Sequence, residues 1–231
     1  MLRLRTLVVG LLFAASVLMA PAVAHAEIIQ FNGLGYASVV TVGGSIAANY
    51  HGGAWAGEMN WSWVGTAPAG FAQSFYAYCV DLSSYEQPQQ TVTPVSTAGF
   101  TNGVPNGGGK AAWLFNEYAS GIHAMTDATT AAVNAAALQI AIWEAMYDTT
   151  ANLADGGFTA TATNTAVTTK AAGYLSALYS SQPWTAVATV LSTDKGQDQI
   201  VQQVGEPSTL MLMGLAFFGF AALARRPVRQ P

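Results

Sequence analysis

Two apolar segments, one at each end of the chain, decide which residues can form its globular core. The N-terminal segment begins with Arg3 and Arg5, continues as an apolar run over residues 7–19 and ends in the small-residue site at 24–26. A basic start, an apolar stretch of about 7–15 residues and an A-x-A site are typical of a secretory signal peptide. Residues 1–26 are therefore predicted to be a cleaved signal peptide, with an uncleaved membrane anchor as the alternative.

The C-terminal segment, residues 204–231, carries the second apolar run over residues 210–224, and Arg225 and Arg226 follow it. An apolar helix of this kind stays in a membrane with its basic flank in the cytoplasm. Because the signal peptide starts the chain outward, the middle of the protein is predicted to face the far side of that membrane. Taken alone, the segment could be a simple tail anchor.

The order of these parts closely resembles the PEP-CTERM sorting signal, in which a Pro-Glu-Pro motif precedes a membrane helix and a basic cluster. The residues that carry the resemblance are Glu206, Pro207, Ser208, Arg225 and Arg226. The resemblance implies a Gram-negative bacterium, transient insertion of the helix into the inner membrane, and processing by an exosortase. It also implies release or transfer to the cell surface or to extracellular polysaccharide.

The segment between the two signals, residues 27–203, has a length suited to one globular domain. It holds three lysines and eleven acidic residues, which gives a net charge of −8. Nucleic-acid binders neutralise phosphates with a basic patch, and this sequence offers none. No cofactor or metal is predicted either, because Cys79, His51 and His123 are too scattered to form a zinc-like ligand set.

The first half of the segment is rich in glycine, aromatic and β-branched residues, which favour strands separated by turns. The predicted strands cover residues 28–31, 37–42, 45–51, 58–64 and 75–82. Gly43 and Gly44 are predicted to form a hairpin turn. In the last strand, the alternation of side chains separates Cys79 from Tyr76 and Tyr78, which are expected on the opposite face.

The second half has helical patterns. The predicted helices cover residues 110–118, 126–148 and 163–181, and a strand is predicted at 184–192. Thr126 or Asp127 can cap the second helix, and its centre is apolar nearly all round, which indicates burial. The expected fold is α+β: a single globular domain with a sandwich- or barrel-like β-rich half and an inserted or following helical subdomain.

Two residues are unusual in this apolar core. Cys79 is the single cysteine of the chain, and an odd cysteine in a secreted protein suggests an intermolecular link or a reactive thiol, with a buried inert cysteine as the alternative. Gln139 lies in the middle of the buried helix, where an amide without hydrogen-bond partners costs about 1–3 kcal/mol. A glutamine that binds a neighbouring backbone is the simplest interpretation, but the two residues could also explain each other.

A cysteine thiolate can attack the side-chain carbonyl carbon of a glutamine and expel ammonia, which leaves an internal thioester. Water would hydrolyse this bond, so the pair needs a dry pocket. Cys79 and Gln139 are therefore predicted to form a thioester at the junction of the β-rich and helical halves. The predicted aromatic walls of the pocket are Tyr76, Tyr78, Trp143 and Tyr147.

Two segments carry a family resemblance that agrees with this chemistry. Residues 75–82 and 138–144 resemble the two motifs of bacterial surface thioester domains, an aromatic-Cys motif on a strand and a Gln-x-Ala-Ile-Trp motif on a helix. Residues 111–115 are also similar to that family. The resemblance implies that Cys79 is the thiol donor and Gln139 the acyl donor.

A protein with this bond is expected to act as a single-use covalent tether and not as an enzyme with turnover. An amine or hydroxyl group on a surface protein or a polysaccharide would attack the acyl carbon of Gln139 and free the thiol of Cys79. The groups that could assist the attack, by residue type alone, are Tyr78, Asp81, Glu144 and His123.

Two other classes of function stay open. One is a non-reactive structural protein of an extracellular polysaccharide or biofilm matrix, in which Cys79 is a free thiol and Gln139 an ordinary amide. The other is a cysteine hydrolase with His51 or His123 as its base. A hydrolase needs a histidine within hydrogen-bond reach of the thiol and an orienting Asn or Asp, and the sequence has no local signature of such a site.

Overall fold

The structure, a computed structural model, describes residues 26–45 and 52–203. The strands are β1 (Glu27–Gly43), β2 (Gly52–Trp63), β3 (Ser74–Cys79), β4 (Gln89–Ser96), β5 (Thr159–Thr161), β6 (Thr189–Ser192) and β7 (Gln199–Val201). The helices are α1 (Gly107–His123), α2 (Ala128–Tyr147) and α3 (Thr165–Ser180), and a 3-10 turn covers Thr97–Gly99. The predicted signal peptide except Ala26, the predicted strand at 45–51 except its first residue, and the segment 204–231 lie outside the described residues.

The strands form an antiparallel sheet that closes on itself. Their order is β2-β3-β7-β6-β4-β1-β5, and β1 also pairs with β2. At the start of β1, Ile29 lies opposite Trp63 of β2 on one side and opposite Gln90 of β4 on the other. All strands except β5 therefore close into a barrel, and β5 pairs with the far end of β1, where Gly43 lies opposite Thr159.

Strand β1 is continuous where the sequence predicted two strands, at 28–31 and 37–42. It stays paired with β2, and its register shifts between Phe31 and Gly33 and again between Leu34 and Ala37. Gly33 has a φ of +110°, which side chains disfavour and glycine tolerates. The glycine-rich stretch that indicated a turn is therefore a bulged part of a bent strand, and the prediction of two strands was wrong.

Helix α2 begins and ends close to its predicted limits. Asp127 caps it by accepting a hydrogen bond from the backbone N–H of Thr130 at 2.7 Å. The helix packs against β1, β2 and β3 on one side and against α1 and α3 on the other. This position explains why an apolar surface surrounds nearly the whole helix, and it confirms the predicted burial.

The α+β fold with a barrel-like β-rich half is confirmed, and the helical part is inserted between β4 and β6. Strands β4, β5 and β7 were not predicted from the sequence. β4 begins with two glutamines and contains Pro94, which weakens a strand pattern, and β5 and β7 have only three residues each. Of these strands, β7 matters for function, because it lies beside β3 in the sheet.

Candidate functional site

The side chain of Gln139 binds the backbone of Cys79, although sixty residues separate them in the sequence. The Oε1 atom of Gln139 accepts a hydrogen bond from the N–H of Cys79 at 2.9 Å, and its Nε2 atom donates one to the carbonyl oxygen of Cys79 at 2.7 Å. Both residues are buried. The structure thus brings together the two residues that the sequence singled out, on β3 and α2.

Gln139 takes the place of a missing strand partner. The pairing of β2 with β3 ends at Met59 and Ala77, two residues before the end of β3. The N–H of Val80 donates to the carbonyl of Asp198 at 2.9 Å on the β7 side. Because peptide groups alternate in direction along a strand, those of Cys79 point to the opposite side, where β2 is no longer paired and Gln139 satisfies them.

The thiol of Cys79 makes its contacts with other side chains. It donates to Oε1 of Gln197 at 2.9 Å, Nε2 of Gln199 lies 3.5 Å from the sulfur, and Sδ of Met59 lies at 3.9 Å. Burial is the main reason why the pKa of this thiol lies well above its usual value, and the charge of Glu86 adds to the effect. The sulfur is therefore a protonated thiol at neutral pH.

Two carboxyl groups lie near the thiol. Burial raises the pKa of Asp81 to about 6 and that of Glu86 to about 8, so both exchange protons closer to neutral pH than ordinary carboxyls do. The Oδ2 atom of Asp81 accepts a hydrogen bond from the N–H of Asp198 at 2.8 Å. The carbonyl oxygen of Asp81 accepts one from Nε2 of Gln197, which helps to orient the amide that binds the thiol.

A cavity of about 380 Å³ lies beside this group and opens to the surface. Met59 and Gln197, which contact the thiol, and Glu86 and Trp143 are among its lining residues. Exposed aromatic residues also contribute to it: Trp55, on β2, is 60% exposed. The cavity therefore joins solvent to the immediate neighbours of the buried sulfur.

The predicted aromatic pocket is divided between two sides of β3. Trp143 lines the cavity, and the hydroxyl of Tyr147 accepts a hydrogen bond from the N–H of Leu82 at 2.8 Å, just after β3. Tyr76 and Tyr78 lie on the other face of the strand, where both rings contact Phe115 of α1. They do not share the face that carries the thiol, in agreement with the predicted alternation of side chains.

His123 belongs to the Tyr76 side of the strand. Its ring stacks on Tyr76 with the ring centroids 4.2 Å apart, and its Nδ1 atom lies 3.0 Å from a carboxylate oxygen of the buried Glu58. Gly35 makes room for this carboxylate, because a Cβ atom there would lie 2.5 Å from Glu58. His123 thus pairs with Glu58 across β3 from the thiol, and His51 lies outside the described residues.

Glu144, another predicted assisting group, faces a different part of the molecule. Its Oε1 atom accepts a hydrogen bond from the N–H of Asn152 at 3.0 Å. Burial raises the pKa of Glu144 to about 8, the charge of Asp148 raises it further, and Lys110 opposes the shift. We call Glu144, Asp148 and Lys110 the Glu144 cluster.

Four residues around the sulfur were not predicted from the sequence: Met59, Glu86, Gln197 and Gln199. They come from β2, the loop after β3, the loop before β7, and β7 itself. The one signal that the sequence offered is the spacing of Gln197 and Gln199, which is that of side chains on one face of a strand. It could be used only once β7 was known to lie beside Cys79.

Comparison with known proteins identifies one segment of the chain. Residues 203–226 match a family described as the PEP-CTERM protein-sorting motif. The chain ends in a PEP-CTERM sorting motif. This match confirms the C-terminal sorting signal, and it indicates that the protein is exported to the cell surface or the extracellular space and sorted by an exosortase. No curated protein and no solved structure gives a significant match to the chain.

Neither a membrane-spanning helix nor a metal-binding cluster occurs among the described residues. Within residues 26–45 and 52–203, no helix is long and apolar enough to cross a membrane. The predicted membrane helix at 210–224 lies outside this range and stays a prediction. Over the same residues, no group of three or more His, Cys, Asp or Glu side chains could hold a metal ion.

Proposed function

We propose that Cys79 and Gln139 form an internal thioester, and that this exported protein uses the bond once to attach itself to an amine or hydroxyl group on a surface protein or a polysaccharide. The observation that supports this proposal is the pair of hydrogen bonds that holds the Gln139 amide against the peptide of Cys79 in a buried site. An amide carbon fixed beside a cysteine and away from bulk water is the arrangement that thioester formation requires.

The hydrogen bond to Oε1 of Gln139 supports the chemical step. When the sulfur of Cys79 adds to the Cδ atom of Gln139, negative charge develops on Oε1, and the N–H of Cys79 already donates to that atom at 2.9 Å. A fixed donor aimed at a developing oxyanion lowers the barrier of acyl transfer. The C–S bond forms, the C–N bond breaks, and the thiol proton leaves with the amide nitrogen as ammonia.

Burial supports the survival of the bond. Gln139 is 0% exposed and Cys79 is 2% exposed, so water has little access to the acyl carbon. A target nucleophile that enters the site forms a bond to Cδ of Gln139 and displaces the sulfur of Cys79, which takes up a proton and becomes a thiol. The protein is consumed in this reaction and is not an enzyme in the ordinary sense.

The sorting motif gives the tether a location. The PEP-CTERM match indicates exosortase as the processing partner. We infer that the apolar segment 210–224 anchors the protein transiently in the inner membrane, with residues 27–203 on the outer side. The thioester domain would then be presented at the cell surface or in the extracellular matrix, where adhesive capture of a target is useful.

The test is a peptide map of the exported, unreduced protein beside a Cys79→Ala variant. We expect the peptides that contain Cys79 and Gln139 to be joined and lighter by one ammonia, and to separate when methylamine adds to Gln139. The variant should show separate peptides with an intact amide. Separate wild-type peptides, with a titratable thiol at Cys79 and an unhydrolysed amide at Gln139, would overturn the proposal.

A second function is also supported by a specific observation. Without any covalent bond, both ends of the Gln139 amide have partners, and the thiol of Cys79 donates to Gln197. Gln139 would then only complete the edge of β3, and the protein would be a non-reactive component of the extracellular matrix. The same peptide map separates the two functions, because this one requires a free thiol and an ordinary amide.

A further inference from the structure

We infer that the cavity beside Cys79 is the entrance for the attacking nucleophile, and that Glu86 on its wall accepts the proton that the nucleophile loses. This inference rests on the proposed thioester and names the group that assists its reaction. The sequence offered Tyr78, Asp81, Glu144 and His123 for that role by residue type alone. Glu86 was not among them.

The cavity gives a nucleophile an open route from solvent towards the sulfur of Cys79. It has a volume of about 380 Å³, and two of its lining residues, Met59 and Gln197, touch the thiol of Cys79 directly. Trp143, one turn along α2 from Gln139, lines the same space. A small nucleophile in this cavity therefore lies next to two residues that contact the sulfur of Cys79, and next to Trp143, which is one turn from Gln139 on α2.

Glu86 has the right position for proton transfer. Among the described residues that line the cavity, it alone carries a carboxylate. Its Oε2 atom accepts a hydrogen bond from Nε2 of Gln199 at 3.1 Å, and the same Nε2 atom lies 3.5 Å from the sulfur of Cys79. One amide group thus stands between the carboxylate and the sulfur, and the carboxylate borders the space that the nucleophile would occupy.

The neighbours of Glu86 keep it in place and tune its proton affinity. Nε2 of Gln90 donates to its Oε1 atom. Gly196 lets Gln90 approach, because a Cβ atom at that glycine would lie 2.7 Å from the Gln90 amide. Burial, with a smaller contribution from the charge of Asp81, raises the pKa of Glu86 to about 8. A general base works best when its pKa is near the operating pH, and this one meets that condition.

The other titratable groups around the sulfur are less suited to the role. They are Asp81, Asp198 and the hydroxyl of Tyr147. Asp198 accepts a hydrogen bond from the N–H of Thr193, and the Tyr147 hydroxyl, whose pKa is about 12, accepts one from the N–H of Leu82. Asp81 is bound to the N–H of Asp198 and is not part of the cavity lining.

The proposed step conserves atoms and charge. A primary amine attacks the acyl carbon of Gln139, its nitrogen forms the new C–N bond, and the C–S bond to Cys79 breaks. The amine nitrogen gives one proton to the carboxylate of Glu86, and that proton then passes to the departing sulfur. The products are a substituted amide at Gln139 and a free thiol at Cys79, and the carboxylate of Glu86 is regenerated.

The test uses the exported protein with Glu86→Gln, and with Glu117→Gln as the matched control. Glu117 is an exposed carboxylate on α1, outside the cavity. Hydroxylamine is the probe, because it is uncharged across neutral pH and its own protonation does not obscure the result. In the wild type and the control, the release of the Cys79 thiol should speed up as pH rises towards about 8, the pKa of Glu86. In Glu86→Gln the rate should fall by about 100-fold or more, and this pH step should vanish.

The outcomes separate this inference from the proposed thioester. A wild type with no thioester overturns both. A Glu86→Gln protein that carries the thioester and reacts at the wild-type rate, with the wild-type pH profile, overturns the role of Glu86 alone. Glu86→Asp is the second variant: it keeps a carboxyl group, so proton transfer predicts partial recovery of rate and pH step. Loss equal to that of Glu86→Gln would indicate a packing role and also overturn the assignment.

Discussion

Gln139 and Glu144, two of the buried polar side chains of helix α2, lie in different environments. Gln139 and Glu144 are five residues apart, which places them about 140° apart around the helix axis. Gln139 reaches the buried peptide of Cys79 that β2 leaves unpaired, beside a thiol and a cavity. Glu144 reaches the loop after α2, where the N–H of Asn152 donates to it. One helix therefore supports a site that is open to a ligand and a site that is closed.

The members of the Glu144 cluster are held by the backbone and the aromatic residues around them. Asp148 accepts hydrogen bonds from backbone N–H groups that include those of Thr149 and Gly157, each at 2.6 Å. These bonds lower the pKa of Asp148 despite its burial. The ammonium group of Lys110 lies over the ring of Trp184, 4.9 Å from its centroid. The cluster connects α1, α2 and the following loop, and its role is structural.

The comparison shows that a shifted pKa does not identify a functional group by itself. Glu86 and Glu144 both have a pKa of about 8, and burial is the main cause in each. Perturbed carboxyls occur at active sites and in structural networks alike. What distinguishes Glu86 is its place on a cavity wall, linked through Gln199 to a sulfur that has a buried amide beside it.

The largest effect is expected when the Gln139 amide is removed. Cys79→Ala keeps the backbone groups that Gln139 binds, so this background isolates the hydrogen bonds from any thioester. Adding Gln139→Met should lower the free energy of unfolding by about 2–6 kcal/mol, because the N–H and C=O of Cys79 each lose a buried partner worth about 1–3 kcal/mol. Urea unfolding of the single and double variants measures the difference.

Methionine is the useful replacement because it nearly conserves the volume of glutamine. Gln139→Ala in the same background should cost more, since it adds a cavity to the loss of hydrogen bonds. A double variant with methionine that is as stable as Cys79→Ala would show that the contact with the backbone of Cys79 contributes nothing to the fold. The comparison between the two sites of α2 would then lose its structural basis.

Much of the Gln139 site could be predicted because its signal is local. A lone cysteine in a strand pattern and a lone glutamine in an apolar helix are visible without any tertiary structure. The helix limits and the cap at Asp127 also follow from local rules, and the structure has them nearly as predicted. The sequence could not show that Gln139 binds the backbone of Cys79, because this depends on where β2 separates from β3.

The surroundings of the sulfur depend on closure of the barrel. Gln197 and Gln199 are more than a hundred residues from Cys79 in the sequence, and only the pairing of β3 with β7 brings them to it. Glu86 is near in sequence but lies in a loop, where no periodicity predicts which way a side chain points. The prediction for Glu144 failed in the opposite way. This residue lies within the helix motif and was offered as an assisting group, but its side chain points away from the site.

The pH dependence of the free energy of unfolding should reveal the buried carboxyl of Glu144. The pKa of Glu144 is about 8 in the folded protein and 4.5 ordinarily, so the folded chain holds a proton that the unfolded chain has released. Unfolding therefore releases protons, and stability should fall as pH rises between these values. Glu144→Gln keeps an oxygen for the N–H of Asn152 and should remove about 1.4 kcal/mol of that fall for each pH unit between the two pKa values. Urea midpoints at several pH values measure it, and an unchanged slope in the variant would contradict the assignment.

The smallest effect is expected on the rate of thiol release when Glu144 is replaced. This measurement compares the two sites of α2 directly. Glu144→Gln and Glu86→Gln remove the same group from two sites where its pKa is equally raised. Because Glu144 faces Asn152 and Lys110 and not the cavity, its variant should release the Cys79 thiol with hydroxylamine at the wild-type rate, within about twofold. The measurement is thiol titration over time at a fixed pH near neutrality, where both proteins are folded. A large loss of rate in Glu144→Gln would mean that buried carboxyl groups on both faces of α2 affect the reaction. The position of Glu86 on the cavity wall would then not explain its role.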